Sequence, residues 1–140
     1  MIDKAIEITE KSFKGKKDKG GADYVNHLYR VADKFQGIDN KVVALLHDLL
    51  EDCEEWNEEK LRKEFNTDVC DAVVCLTKVL NEPYDKYIER VKSNRIATLV
   101  KIADLEDNMD VKRLNELDDF CLKRLQKYHR TWKELVSFLN

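Results

Sequence analysis

Hydrophobic positions recur at three- and four-residue steps along nearly the whole chain, the period of helices that bury one side. Ile2, Ala5, Ile6, Thr9 and Phe13 form a first stripe, which ends at a lysine- and glycine-rich stretch from Lys14 to Ala22. Tyr24, Val25, Leu28, Val31, Ala32 and Phe35 form a second, stopped by Gly37. A third helix, which Asp39 is placed to cap, carries Val42, Val43, Leu46, Leu49 and Leu50. After an acidic turn from Asp52 to Glu55, Asn57 is placed to cap a short helix with Leu61 and Phe65. Thr67 then opens a helix with Val69, Ala72, Val73, Leu76, Val79 and Leu80 on one side.

Pro83 stands where the next helix begins, because its fixed φ suits a first turn; Tyr84, Tyr87, Ile88 and Val91 follow at helical spacing. Ile96, Leu99, Val100 and Ala103 carry the pattern to Asn108. Cys121, Leu125, Tyr128, Trp132, Leu135 and Leu139 mark a long last helix. No segment alternates convincingly at period two, and there is no long linker, repeat or low-complexity tract. The pattern predicts one all-α domain spanning residues 1–140.

Composition changes this picture in three places. Only four glycines and one proline interrupt 140 residues, so long helices meet few breakers. A net charge of -3 removes any strong general attraction to nucleic acid, and none is expected as a partner. The basic residues nevertheless bunch locally, with Lys14, Lys16, Lys17 and Lys19 together before the second helix. No apolar run approaches the roughly 20 residues that cross a bilayer, and no signal-peptide pattern opens the chain. The expectation is a cytoplasmic protein without a membrane partner; nothing in the pattern assigns an oligomeric state. The four cysteines form no CxxC pair, which argues against a zinc finger or a disulfide framework. Cys70, Cys75 and Cys121 are read as small buried hydrophobes and Cys53 as partly exposed.

Some polar residues do not belong on such helices. Turning about 100° per residue from His47, Glu51 falls at about 40°, Asp48 at about 100° and Asp52 at about 140°. Four ionisable groups thus share one sector of a strongly apolar helix, with the small Ala44 one turn earlier. His27 comes from the preceding helix, and Asp104 from a later one with Asn108 one turn beyond. Imidazole and carboxylate donors suit Mn²⁺, Fe²⁺ or Zn²⁺, and two His with two Asp leave positions for water and substrate. Taken singly, a His-Asp pair or an acidic helix end is commonplace; their placement on three apolar helices is not. His129, among Lys127, Tyr128 and Arg130, is read as a surface residue.

The order His27, His47-Asp48, Asp104 resembles the HD superfamily of metal-dependent phosphohydrolases. The stretch from Ser12 to His27, the segment His47-Asp48-Leu49-Leu50-Glu51-Asp52 and the segment from Val100 to Met109 resemble the RelA/SpoT-type alarmone hydrolases. There they match an opening loop and helix, an HDxxED motif and a VKLADxxxNM segment. The resemblance implies a bundle of eight or nine helices and one Mn²⁺, or another divalent ion, held by His27, His47, Asp48 and Asp104. It implies that Glu51 and Asp52 position and deprotonate the attacking water. Asn108 would meet the nucleotide's sugar, while Lys16, Lys17 and Lys19 line the nucleotide site. The implied reaction removes the 3′-diphosphate of (p)ppGpp as pyrophosphate, so the expected partner is a phosphorylated nucleotide.

The chain departs from that family at Phe13, Asp18, Asp23 and Leu28, where histidine, arginine and two prolines are usual. Glu106 and Asp107 replace an arginine-histidine character. These changes fall on recognition and loop geometry, not on the expected metal and water-activating residues. Two other readings stay open: an HD phosphohydrolase acting on another nucleotide or phosphate ester, and a non-catalytic, metal-stabilised helical binding module.

Overall fold

The computed structural model describes residues 1–140. In chain order the helices are α1 (Ile2–Ser12), α2 (Val25–Asp33), α3 (Ile38–Leu46), α4 (Leu49–Asp52), α5 (Glu58–Glu64), α6 (Thr67–Leu76), α7 (Tyr84–Lys92), α8 (Arg95–Asn108) and α9 (Asp119–Leu139). A 3₁₀ turn at Val111–Arg113 lies between the last two. The fold is all-α, with no strands beyond one isolated bridge between Lys17 and Asp23. No helix is long and apolar enough to cross a membrane.

α3 sits at the centre because its second half is apolar on every side: Val42, Val43, Ala44, Leu45 and Leu46 are all buried. It packs against α1, α2, α6 and α8, and α8 in turn meets α2, α6, α7 and α9. One continuous cluster of 26 buried side chains joins these helices. The polar residues of α2, α3 and α8 are therefore carried into the middle of the molecule by the burial of their neighbours. Helix starts are marked by side-chain caps at Asn57, Asn66, Asn94 and Asp118, each accepting from a backbone N–H three residues on.

Four local expectations are corrected. The third helix does not run unbroken to Leu50; it stops at Leu46 and resumes as α4 at Leu49. His47 Nδ1 lies 2.6 Å from the carbonyl oxygen of Ala44, the acceptor that a continuing helix would offer to the N–H of Asp48. Asp48 takes φ -99° and ψ -1°, the sparsely populated bridge region. Asp39 is not the cap of α3, since Gly37 holds that position and Asp39 lies within the first turn.

α6 ends at Leu76, leaving Val79 and Leu80 exposed. The Arg90 guanidinium of α7 donates to the carbonyls of Val74, Cys75 and Thr77, satisfying the helix end where it stops. Of the cysteines, only Cys70 is fully buried; Cys75 and Cys121 are partly exposed, like Cys53.

The stretch before α2 is an ordered turn. Asp18 Oδ1 accepts from the N–H groups of Gly20 and Ala22, both at 2.9 Å, and its own N–H reaches the carbonyl of Ala22 at 2.8 Å. A Cβ on Gly20 would stand 2.4 Å from the carbonyl oxygen of Arg113, so only glycine lets the turn lie against the 3₁₀ segment. Phe13 is buried with its ring centroid 5.5 Å from that of Tyr24.

Candidate metal centre

His27 from the first turn of α2, His47 from the end of α3 and Asp104 from the middle of α8 bring one donor atom each within 4.8 Å of one another. His27 Nε2 is 3.0 Å and His47 Nε2 is 3.3 Å from the same carboxylate oxygen, Asp104 Oδ1. All three residues are buried. Asp48 lies at the rim, with Oδ2 3.4 Å from His47 Nε2 and accepting a hydrogen bond from the Tyr24 hydroxyl.

The far nitrogens of both rings are engaged. His47 Nδ1 faces the Ala44 carbonyl, and His27 Nδ1 faces Asp107 Oδ2 at 2.6 Å. Each acceptor favours a proton on Nδ1 and leaves Nε2 facing inward, as outer partners of metal-ligating histidines do. His47 Nε2 is buried without a hydrogen-bond partner, which costs free energy unless a proton or a cation occupies the space beside it. Two neutral imidazoles and one or two carboxylates converging there fit a divalent ion.

The charges around the cluster are strongly coupled. Burial opposes ionisation of Asp104, yet the Lys101 ammonium at 3.1 Å and the two imidazoles hold its carboxyl well below the usual range. Burial likewise opposes protonation of His47, but Asp48 and Asp104 outweigh it and push the ring up to about 9. The negative charge that favours protonated imidazoles here would equally favour a bound divalent cation.

The other predicted residues fall into two groups. Glu51 is half-buried, which raises its carboxyl pKa, and Oε1 accepts from the backbone N–H of Lys78 at 2.8 Å. Asp52 pairs with Lys16 Nζ at 2.9 Å, and that ammonium also lies 4.4 Å from the Tyr24 ring centroid. Asn108 Nδ2 donates to Asp104 Oδ1 at 3.2 Å. Lys17 pairs with Asp23, while Lys19 Nζ sits 5.1 Å from the Phe120 ring centroid. Lys16, Lys17, Lys19, Asn108 and His27 all line a cleft of about 400 Å³ between the turn, α2, α8 and α9. His47, Asp48, Glu51, Asp52 and Asp104 are not part of its wall.

Asp107 and Lys101 are the residues that sequence reasoning missed. Asp107, counted there only as a loss of family character, is buried and fixes His27. Arg30 Nε at 2.7 Å and Nη2 at 3.1 Å donate to it, and Arg113 Nη2 reaches its backbone carbonyl at 3.0 Å. Burial opposes its ionisation, but His27 and Arg30 outweigh that and hold the carboxyl far below its ordinary value. The signal was present: His27 and Arg30 on one helix, Asp104 and Asp107 on another, are matched pairs at i, i+3 spacing. Lys101 precedes Asp104 by the same spacing.

Sequence and structure comparisons place this geometry among known proteins. No curated protein sequence is significantly similar to the chain. Its fold resembles that of a metazoan ortholog of SpoT that hydrolyses ppGpp and plays a role in starvation responses. The TM-score is 0.79 at 24% sequence identity, over 99% of this chain and 85% of the other. The HD domain family model matches residues 5–102, most of the helical core and the His27 and His47-Asp48 positions, so the chain belongs to the HD domain family.

Proposed function

We propose that the protein is a metal-dependent phosphohydrolase that releases pyrophosphate from guanosine 3′,5′-bis(diphosphate), working as one HD unit over residues 1–140 in the cytoplasm. The observation that carries the metal is the buried His47 Nε2, free of hydrogen bonds and aimed with His27 Nε2 at Asp104. His27, His47, Asp48 and Asp104 would hold Mn²⁺ or another divalent ion. When bound, it supplies positive charge to phosphoryl oxygens and acidifies coordinated water.

The remaining steps belong to the chain's own groups. Glu51, with one oxygen fixed by the Lys78 N–H and its basicity raised by burial, takes the proton from the attacking water. Asp52 helps to orient that water and, through Lys16, ties the water-activating pair to the turn. Lys16, Lys17 and Lys19 offer charge to the substrate's phosphates from the cleft wall, and Asn108 meets the sugar while steadying Asp104. The likeness of fold to a ppGpp hydrolase supports the choice of substrate.

A second reading, another nucleotide or phosphate ester, is favoured by one feature. Asp18 stands in the cleft wall where an arginine would be usual, and its carboxylate is committed to the turn. Turnover of ppGpp with added Mn²⁺, products separated by anion exchange, tests the proposal. GDP and pyrophosphate from the wild type but not from Asp104→Ala is the expected result. A metal-loaded wild type that leaves ppGpp intact would transfer the case to the second reading.

A further inference from the structure

A second group of lysines lies away from the turn and its cleft. Lys78 follows α6, Lys101 belongs to α8 and Lys127 to α9, yet all three ammoniums gather around two tyrosines of α7. Lys127 Nζ is 3.8 Å and Lys78 Nζ 5.7 Å from the Tyr84 ring centroid. Lys101 Nζ is 5.4 Å from the centroid of Tyr87, whose ring is 5.9 Å from that of Tyr84. Thr131 Oγ1 holds the Tyr84 hydroxyl at 3.1 Å.

Cation–π contacts attract each ammonium but neutralise none of them. Lys101 has a carboxylate partner in Asp104, whereas Lys78 and Lys127 have no ion pair. Lys127 is accordingly pushed below the ordinary lysine range, by burial first and then by Lys78 and Lys101. Like charges drawn together from three segments, two of them without a counter-charge, are relieved by an anion, and cations at separated points suit one that carries several charges. The group also borders the catalytic candidates. The backbone N–H of Lys78 holds Glu51, and the Lys101 ammonium holds Asp104.

The geometry points to a diphosphate-binding subsite formed by Lys78 and Lys127 over Tyr84, with Lys101 beside it, that receives the pyrophosphate leaving group. The assignment of its role rests on the proposed hydrolysis. The nucleoside portion of the substrate then lies on the cleft side and the departing diphosphate on the Tyr84 side. Release of the negatively charged product is stabilised where its charge develops.

Binding of inorganic pyrophosphate to the full chain tests the subsite, with excess Mg²⁺ present so that chelation does not strip the centre. Lys127→Glu and Lys78→Glu should each weaken pyrophosphate binding by at least about tenfold, the loss of one charge-assisted contact. Lys123→Glu, an equal charge change one turn earlier on α9, should shift it less than about twofold. Lys127→Gln should act in the same direction as Lys127→Glu with a smaller change, and helical circular dichroism should be unaltered in all four. Equal effects of Lys127→Glu and Lys123→Glu would overturn the subsite. Because the titration contains no nucleotide, failure of ppGpp turnover with these binding differences intact would sink only the substrate reading. Turnover of ppGpp with unchanged pyrophosphate affinity in Lys127→Glu would sink only the subsite.

Discussion

His27, His47 and Asp104 come from three helices and are 4%, 3% and 5% exposed, whereas Lys16, Lys17 and Lys19 stand exposed on one continuous turn. In the buried centre the side chains are joined across the fold: His27 and His47 both meet Asp104, and His27 meets Asp107, while Ala44, Lys101 and Asn108 add contacts from one turn away. In the turn, the organising bonds are local, from Asp18 to Gly20 and Ala22 and from Lys17 to Asp23. The centre is therefore preorganised by the packing of the whole bundle. The turn keeps its backbone shape largely through its own bonds, and its lysine ammoniums rest on exposed partners that a phosphate can displace. Substitutions in the first region should act on metal, turnover and stability together, and those in the second on substrate affinity alone.

The largest expected effect is at Asp104. Asp104→Ala removes the acceptor shared by both imidazoles and leaves the Lys101 ammonium unpaired in the interior. Breaking a buried charged network in this way costs about 3–5 kcal/mol, which urea unfolding of the metal-free protein would register. A loss below about 1 kcal/mol, the scale of an exposed ion pair, would show that the centre is as loosely held as the turn.

Next comes Glu51→Gln. Proton abstraction by a positioned base is worth about 10²- to 10⁴-fold, so kcat for ppGpp should fall by that factor while metal content stays at the wild-type level. An active variant would remove Glu51 from the mechanism. Asp107→Asn should follow, weakening metal affinity by about 10- to 100-fold in a competition titration, because the carboxylate no longer holds His27 Nδ1–H as strongly. Unchanged affinity would assign Asp107 to the Arg30 and Arg113 contacts alone.

The smallest effect belongs to the turn. Lys17→Ala should raise KM for ppGpp several-fold, about 1 kcal/mol of binding, and change unfolding by less than about 0.5 kcal/mol. An equal rise in KM for a small generic phosphate ester would argue that the turn recognises nothing specific to the nucleotide.

The same contrast explains what could be read from the sequence. The helices were legible because burial enforces a period that each segment displays on its own; the α8 stripe through Val100 and Ala103 is one example. The break at His47-Asp48 was not, because it depends on a side-chain ring competing for the Ala44 carbonyl, which no apolar pattern records. Nor was the end of α6, which is set by Arg90 reaching across from α7. In the site, residue types with a known affinity for cations drew attention to His27, His47 and Asp104. Asp107 did not stand out, since its i, i+3 spacing from Asp104 gains its meaning only beside the His27 and Arg30 pair that it faces on α2. Lys101 drew no attention of its own, because only the packed structure sets its ammonium against Asp104 and near the Tyr87 ring.

The central claim is that the His27–His47–Asp104 cluster holds a catalytic divalent ion, and a calorimetric titration of the metal-free chain with Mn²⁺ tests it most directly. The account predicts saturation at one ion per chain for the wild type and loss of that binding in Asp104→Ala. Equal binding by both proteins, or none by the wild type, would contradict it.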